Sequence, residues 1–326
     1  MDNAVLVLGS IAFDYIMKFD GRFRDVIVPD ADQNLVGSFN VGSLRVRFGG
    51  TAGNISYNLA LLGTRAIAVS SAGQDLVAMK YDSHLRKVGV DVRLTVQPDE
   101  HTAAAYIISD STNNQLTIFH PGALKHAGAI SLKKALGSDL NKVKLAIVAP
   151  NPVDAFVSHT QELAKLRIPF VFDPGQVVPA FTPEQLMEII PKSMLLIANT
   201  HEIELVKRKL NTSIEKILSD VPNVIVTEGS KGSKLYGRGY VKQIPIAKPR
   251  VFHDSTGAGD GYRSGILAGL LNSLSLEDSA KLGAIVGSFV VEGEGPQEHL
   301  FTYKEVKQRY ETTFKQTLSL PQTNTD

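Results

Sequence analysis

The chain of 326 residues contains no cysteine. Disulfides, thiolate metal sites and cysteine nucleophiles are therefore excluded. Net charge is nearly absent as well, because 34 basic and 33 acidic residues leave +1, which argues against a nucleic acid or a membrane as partner. No apolar stretch approaches the ~20 residues that a membrane-spanning helix needs, and the first residues lack the basic start and cleavage site of a signal peptide. We expect a soluble cytoplasmic protein.

Three familiar ligand motifs are also missing. The stretch GAGDGY (257–262) has Tyr262 where the dinucleotide fingerprint needs its last glycine. GSKGSK (229–234) has the wrong spacing for a Walker A loop, and HEIEL (201–205) has Leu205 where a zinc protease needs its second histidine. The eight histidines form no ligand cluster in the sequence. A nicotinamide-dependent oxidoreductase, which a doubly wound sheet would otherwise allow, thus lacks its fingerprint.

Short apolar runs alternate with helix-like stretches along the chain. The runs, rich in Val, Ile and Leu, lie at 5–8, 67–69, 145–149, 170–172, 195–198 and 224–226. Helical apolar spacing occurs in NISYNLALLG (54–63), AFVSHTQELAKL (155–166) and MEIIPKSM (187–194). Runs without polar alternation suit strands buried on both faces. The pattern predicts an α/β fold with a doubly wound, mostly parallel sheet flanked by helices.

Two segments interrupt this alternation. Residues 17–48 contain β-prone pieces such as SLRVRF and no clear helix, and residues 102–119 have the pattern of a hairpin with Thr112, Asn113 and Asn114 as its turn. Together they predict a small β-sheet lid, although an edge extension of the main sheet would give the same pattern. We expect a single domain over residues 1–318, and the polar, proline-containing stretch 319–326 predicts a disordered tail.

Polar residues follow four of the predicted strands, namely Asn151, Asp173, Asn199 and Thr227. In open α/β sheets, ligands bind outside the carboxyl ends of the strands. Any one of these residues could be a turn former or a helix cap. Their occurrence at four strand ends favours a binding site along one edge of the sheet.

The stretch DSTGAGDG (254–261) places an acid between glycines where a helix begins. A glycine-rich turn that opens a helix presents unpaired N–H groups and the positive end of the helix dipole. The amides of Gly257, Ala258 and Gly259 could therefore stabilise charge on a transferring group, and Asp260 could accept a proton from a hydroxyl. An acid in a first helical turn is also favourable without any catalytic role. The glycine spacing at 261, 265 and 269 fits close helix packing equally well.

A second glycine-rich stretch is FGGTAGNISYNLALLG (48–63). Gly49 and Gly50 would let the backbone approach a ligand, and the amide of Asn54 can both donate and accept, which suits neighbouring sugar hydroxyls. Alternatively, Asn54 caps its own helix. In GSIAFD, Asp14 comes just past the first predicted strand, where its carboxylate could also accept from hydroxyls.

The two glycine-rich stretches, GGTAGNISYNLALLG and DSTGAGDGYRSGILAGL, resemble the signature stretches of the ribokinase-like sugar and nucleoside kinases of the phosphofructokinase-B type. Three further pieces stand in the order of that family. They are GSIAFD, the pair Asn199 and Glu202 in an Asn-x-x-Glu arrangement, and VTEGSKGSKLY (226–236), which resembles the nucleotide loop. The resemblance covers about residues 4–314.

The resemblance implies a ribokinase-like fold with a β lid and ATP-dependent phosphoryl transfer to a hydroxyl. Asp260 would be the general base, and the amides of Gly257, Ala258 and Gly259 would hold the anionic transition state. The residues expected to bind the sugar hydroxyls are Asp14, Gly49, Gly50 and Asn54. The residues expected to bind ATP are Asn199, Thr227, Gly229, Gly232, Gly257 and Gly259, beside residues 283–291.

The resemblance also implies cofactors and an assembly. Mg²⁺ would be held largely by phosphates and water, with Asn199 and Glu202 nearby. The family often places a monovalent cation beside the anion-binding turn, and the sequence leaves open whether K⁺ is needed. The exposed strands of the lid could pair between subunits, which would give a homodimer.

Three pieces, NNQLTIFHPGA (113–123), FDPGQ (172–176) and GPQEHLFTYKE (295–305), look like those of adenosine-kinase-like nucleoside kinases of bacteria and archaea. The implied reaction is phosphorylation of the 5′-hydroxyl of a nucleoside, with adenosine as the first candidate. Phe119, with Phe13 or Tyr15, could stack on the base, although core packing is the commoner role of such rings. A ribokinase or another sugar kinase, and a non-catalytic nucleoside or sugar sensor, stay open as alternatives.

Overall fold

The computed structural model describes residues 3–30, 34–112 and 114–320. The strands in these ranges are β1 (Ala4–Leu8), β2 (Ala12–Lys18), β3 (Val28–Pro29), β4 (Leu35–Val36), β5 (Ser43–Gly49), β6 (Ala66–Gly73), β7 (Asp91–Gln97), β8 (Ala103–Ser109), β9 (Gln115–His120), β10 (Val143–Val148), β11 (Phe170–Phe172), β12 (Leu195–Asn199), β13 (Asn223–Thr227), β14 (Ser233–Gly237) and β15 (Tyr240–Ile244). The α-helices are α1 (Phe23–Val26), α2 (Thr51–Leu61), α3 (Asp75–Ala78), α4 (Tyr81–Lys87), α5 (Leu132–Leu136), α6 (Val153–Leu166), α7 (Pro183–Ile189), α8 (Thr200–Leu210), α9 (Ile214–Asp220), α10 (Ala258–Leu271), α11 (Leu276–Val290) and α12 (Tyr303–Phe314).

The main sheet has nine strands in the order β15-β14-β13-β12-β11-β10-β1-β6-β7. Neighbours from β13 to β7 are parallel, and β14 and β15 form an antiparallel edge. All the apolar runs of the sequence lie in the parallel strands, which confirms the predicted doubly wound sheet. From β1 the chain continues to β6 on one side and later returns to β10 on the other. The strand order therefore reverses between β1 and β10, where α/β sheets form their ligand crevice.

Both faces of this sheet are buried, which explains the absence of polar alternation. In β1, Val5 and Val7 belong to the apolar cluster that contains residues of α2, α10, α11 and α12. Leu6 and Leu8 belong to the opposite cluster, with residues of α5 to α9. Successive residues of a strand point to opposite faces, so a strand covered by helices on both sides must be apolar throughout.

A separate four-stranded sheet, the lid, has the order β5-β2-β8-β9. The predicted hairpin is confirmed as β8 and β9, although Asn113 of its turn lies outside the described residues. The lid begins at Ala12, earlier than expected, so Asp14 lies within a lid strand rather than just past the first strand. Register places Asp14, Arg47 and Ala105 on one face of the lid, with Phe119 opposite Ala105.

The helices agree with the sequence pattern except near Pro191. The predicted helix MEIIPKSM ends as α7 at Ile189, and residues Ile190–Lys192 form a 3-10 turn, because proline lacks the N–H that a continuing helix would use. Close packing explains the glycine spacing in α10, since a Cβ on Gly265 would lie 2.5 Å from the backbone nitrogen of Gly283 in α11.

The expected tail begins at Ser319, and residues 321–326 lie outside the described ranges. Leu320 is held by Tyr303, whose hydroxyl donates to the Leu320 carbonyl at 3.0 Å. A search of the described ranges finds no helix with the length and apolar character needed to cross a membrane.

Candidate active site

Two side chains that are far apart in sequence meet at the N-terminus of α10. Asn54 Nδ2 donates to Asp260 Oδ2 at 2.8 Å. The N-cap position of α2 is occupied by Gly50 without a side-chain cap, so Asn54 does not cap its own helix. The side chain of Asn54 instead connects the two glycine-rich stretches of the sequence.

The turn before α10 leaves backbone N–H groups available. Ala258 N–H donates to the Ser255 carbonyl at 3.1 Å, whereas no described backbone acceptor pairs with the N–H of Gly257 or Gly259. Gly257 has φ of 78°, and a Cβ there would lie 2.5 Å from the Cβ of Pro296. The position therefore requires glycine. The two unpaired amides and the positive end of the α10 dipole offer hydrogen-bond donors and a favourable potential to an anion beside Asp260.

Burial raises the pKa of Asp260 to about 6, and Arg263 and the Asn54 hydrogen bond act in the opposite direction. A carboxylic acid with this pKa is ionised near neutral pH, where a general base must be free of its proton. A buried ion pair lies behind it, with Arg263 Nη2 at 2.6 Å from Asp173 Oδ1 and Arg263 Nε also on that carboxylate. Arg263 Nη1 donates to the Gly259 carbonyl at 3.0 Å.

Asp14 lies close to Asp260 on the lid side of the site. Burial, and then the negative charges of Asp260 and Asp254, raise the pKa of Asp14 to about 7. A Cβ on Gly49 would lie 2.2 Å from Asp14 Oδ2, so Gly49 leaves the space that this carboxylate occupies. The structure thus brings Asp14, Gly49 and Gly50 together with Asn54 and Asp260.

A cavity of about 330 Å³ lies on the other side of the anion turn, between the β13–β15 region and helices α10 and α11. Its lining includes the predicted residues Thr227, Gly229, Gly232 and Gly259, and apolar residues such as Ile244 and Val291. A larger groove of about 610 Å³ lies between α9 and the β14–β15 hairpin and contains none of the predicted site residues.

Asn199 and Glu202 are hydrogen-bonded to each other in the described structure. Asn199 Oδ1 accepts from the Glu202 N–H at 2.9 Å, and Glu202 Oε2 accepts from the Asn199 N–H at 2.7 Å. This reciprocal capping box begins α8. Asn199 does not line the cavity, and its role in ATP binding stays a prediction, as does that of Glu202 near a metal.

The aromatic residues expected near a base lie in different places. Phe119 is 48% exposed on the edge strand of the lid. Phe13 is buried, with its ring 5.7 Å from that of Tyr81, and Tyr15 stacks on Tyr106 on the face of the lid opposite Asp14. Phe13 is therefore not exposed for stacking on a base, and stacking by Phe119 or Tyr15 stays a prediction.

Sequence reasoning missed Arg263 and left open what Asn151 does. Arg263 is the one basic residue in the small and apolar helix α10, and an isolated charge in such a helix is the signal that could have revealed it. Asn151 follows β10 at the switch point and is buried, and neither Nδ2 nor Oδ1 has a partner among the described residues. An unpaired buried amide suits a ligand hydroxyl.

Among the described residues, no group of three or more His, Cys, Asp or Glu side chains could hold a metal ion. A divalent cation here would need ligands from elsewhere, and nucleotide phosphates with water supply them in many phosphotransferases.

The profile of the pfkB family of carbohydrate kinases matches residues 5–302. A nucleoside kinase of Methanocaldococcus jannaschii is 33% identical over 308 residues, which cover 94% of this chain and 96% of that protein. The solved structure of a Burkholderia thailandensis nucleoside kinase in complex with inosine has a TM-score of 0.83 and 37% identity, and the match covers 96% of this chain and 99% of that one. The solved Methanocaldococcus jannaschii nucleoside kinase has a TM-score of 0.84 and 30% identity, over 96% and 99% of the two chains.

These similarities confirm the ribokinase-like fold, and with it the interpretation of the two glycine-rich stretches as family signatures. The chain therefore belongs to the pfkB family of carbohydrate kinases and is an ATP-dependent kinase that acts on a hydroxyl group.

Proposed function

We propose that the protein is a nucleoside kinase that transfers the γ-phosphate of ATP to the ribose 5′-hydroxyl, with adenosine as the first candidate substrate. The 2.8 Å contact between Asn54 and Asp260, beside the unpaired amides of Gly257 and Gly259, carries this proposal. It supports the proposal that Asp260 is the base and Asn54 a polar anchor beside an anion site. Two proteins similar to this chain are named nucleoside kinases, and one of them was solved with inosine.

Each group then has a distinct task. Asp14, Gly49, Gly50 and Asn54 bind the sugar, with the second N–H of Asn54 free to donate to a hydroxyl. Asp260 accepts the proton of the 5′-hydroxyl as the hydroxyl oxygen attacks the γ-phosphorus and ADP leaves. The unpaired amides of Gly257 and Gly259 stabilise negative charge on the transferring phosphoryl group, whereas the N–H of Ala258 is already paired with the Ser255 carbonyl. Catalysis of this kind rests on positioning and electrostatics. The lid excludes water and so limits ATP hydrolysis.

The cavity of about 330 Å³ is the proposed nucleotide side of the crevice. Its apolar lining suits a flat base, and Thr227, Gly229 and Gly232 offer backbone and hydroxyl groups at its edge. Mg²⁺ would take its ligands mainly from phosphates and water, with Glu202 acting through a water molecule. K⁺ beside the anion turn stays a prediction without a ligand set.

Turnover of nucleosides tests the proposal directly. ADP formation with MgATP should be fast with at least one of adenosine, inosine, guanosine and cytidine, and slow with ribose and fructose 6-phosphate. Turnover of ribose alone would instead identify a sugar kinase of the same family. Nucleoside binding in calorimetry without ADP formation would identify a sensor that has kept the fold.

We further propose that the lid forms a homodimer through the face opposite Asp14. Leu44, Val46, Leu116 and Ile118 are 40–63% exposed and lie with Tyr106 on that face. Exposed apolar patches of this kind mark interaction sites. Replacing Ile118 with Arg should convert a dimer to a monomer in sedimentation velocity, whereas Thr117→Arg on the other face of the same strand should not. A monomeric wild-type protein at micromolar concentration would contradict the proposal.

A further inference from the structure

A chain of hydrogen bonds runs from a backbone carbonyl to Asp260. Tyr81 donates its hydroxyl to the Gly49 carbonyl at 2.6 Å. Gln297 Nε2 donates to the Tyr81 hydroxyl oxygen at 2.7 Å and to Asn54 Oδ1 at 2.9 Å. Asn54 Nδ2 then donates to Asp260 Oδ2 at 2.8 Å. Tyr81 is outside the set of residues that the sequence singled out, and Gln297 lies in the stretch GPQEHLFTYKE (295–305) without a role assigned to it.

The direction of this chain is fixed at its first member. A carbonyl oxygen can only accept, so the proton of Tyr81 points to Gly49 and the Tyr81 oxygen must accept from its other neighbour. Gln297 must therefore present its NH₂ group rather than its oxygen to Tyr81. The second hydrogen of that NH₂ group points to Asn54 and requires the Asn54 oxygen there. Asn54 is left with its own NH₂ group facing Asp260.

The residues around this chain of hydrogen bonds exclude water and leave space for its side chains. Tyr81 is 0%, Asn54 5% and Gln297 6% exposed, so water competes weakly for these hydrogen bonds. A Cβ on Gly53 would lie 2.1 Å from the Tyr81 hydroxyl and 3.3 Å from Gln297 Nε2. Gly53 is thus the residue of the GGTAGN stretch that makes room for the chain of hydrogen bonds.

We propose that Gln297 is a positioning residue that fixes the orientation of the Asn54 amide, so that Asn54 presents an N–H group and never its oxygen to Asp260. The catalytic meaning of this role rests on the proposed function, in which Asp260 is the base. In the reverse orientation, two oxygens would face each other at 2.8 Å. That arrangement is stable only when the carboxyl group is protonated, and a protonated Asp260 cannot take a proton from substrate.

A packing role alone does not account for Gln297. Its Oε1 makes no well-aligned hydrogen bond in the described structure. Its polar neighbour is the imidazole of His84, where Gln297 opposes the lowering of the imidazole pKa by burial, and a poorly paired buried oxygen costs free energy. Methionine would fill a similar volume without that cost. Only an amide whose NH₂ group points this way can donate both of the hydrogen bonds that Nε2 makes.

The test is the titration of Asp260 in variants of Gln297. Gln297→Met removes the constraint on Asn54, and Gln297→Glu replaces the donor by an acceptor, which draws the NH₂ group of Asn54 away from Asp260. The ¹³C NMR titration of the Asp260 carboxyl carbon, assigned with Asp260→Asn, should have its midpoint near pH 6 in the wild type. Loss of one donor to a carboxylate should raise the midpoint by about half a unit to one unit in Gln297→Met, and by more in Gln297→Glu.

The same shifts should appear in the acid limb of the pH dependence of kcat, so that the Gln297→Met variant loses several-fold activity at pH 6 and less at pH 8. Tyr81→Phe, which removes the group that orients Gln297, should shift both curves in the same direction by a smaller amount. Apart from the carboxylate that Gln297→Glu adds, the charged groups around the site are the same in all these variants. They are Asp14, Asp173, Glu202, Asp254, Arg263 and Glu298, with the imidazole of His84.

Matched controls are Gln316→Met and Gln316→Glu, because Gln316 is exposed and its amide accepts from Lys281 at 2.9 Å outside the site. These variants should titrate as the wild type. A midpoint that moves in Gln297→Glu alone would reflect the added charge and overturn the proposal, as would folded Gln297 variants with lower melting temperatures and unchanged midpoints. The NMR titration needs no turnover, so shifted midpoints in a protein inactive on nucleosides would refute the proposed function and leave the role of Gln297 standing.

Discussion

Replacing Asp260 with Asn should lower kcat for the nucleoside by about 10³-fold, within the range of ~10²–10⁴ that a positioned general base contributes. The amide cannot accept the proton of the 5′-hydroxyl at neutral pH. It is nearly isosteric and can still accept from Asn54 through its carbonyl oxygen, so the nucleoside KM should change far less than kcat. Steady-state ADP release measured against nucleoside and ATP concentrations separates the two parameters.

The control for this substitution is Asp220→Asn, at the exposed C-terminal end of α9. It removes one carboxylate from the same chain without touching the crevice, so its kcat should equal that of the wild type. A variant Asp260→Asn with near-normal kcat would show that another group takes the proton. A rise in KM with unchanged kcat would make Asp260 a binding residue instead.

The fold was predictable because its signals are local. A strand covered by helices on both faces must be apolar at every position, so β1, β6 and β10 to β13 were visible as uninterrupted runs. The lid hairpin was visible from its alternating residues and turn. The end of α7 does not follow from apolar spacing, which continues past Ile189, whereas Pro191 predicts the break.

The two halves of the candidate site were also visible, but the contact between them was not. Asn54 and Asp260 are 206 residues apart, and only the packing of α2 on α10 makes them neighbours. The same limit hid Gln297, which is 243 residues from Asn54. By contrast, the capping box of Asn199 and Glu202 follows from an Asn three residues before a Glu at a helix start, and a purely local interpretation would have found it.

The polar residue at the end of a strand can be bound by another side chain of the protein instead of a ligand, and Asp173 with Arg263 is such a case. Asp173 was expected on a ligand-binding edge, yet it is 1% exposed and its carboxylate is held by the guanidinium of Arg263. That guanidinium also donates to the carbonyl of Gly259, in the turn whose amides face the crevice. The pair therefore acts on the site through the shape of the anion turn. The charge of Arg263 opposes the effect of burial on the pKa of Asp260, whereas the charge of Asp173 adds to it.

Removing one partner of this pair should be strongly destabilising. Asp173→Asn leaves a buried guanidinium with a neutral partner, and breaking a buried ion pair in this way costs ~3–5 kcal/mol. The free energy of unfolding from denaturant titration should fall by that amount. Glu204→Gln is the matched control, because Glu204 pairs with Lys207 at 2.8 Å on the surface of α8. Its loss should cost less than about 1 kcal/mol.

The double variant Asp173→Asn, Arg263→Met tests whether the destabilisation comes from the unpaired buried charge of Arg263. Because the buried charge is then gone, the double variant should unfold less readily than Asp173→Asn alone. Its kcat should nevertheless stay low, since the side-chain donor to the Gly259 carbonyl is lost and the anion turn loses the support of Arg263. A loss below 1 kcal/mol in Asp173→Asn would mean that water reaches Arg263. Normal kcat in the double variant would mean that the glycine turn keeps its shape without the arginine.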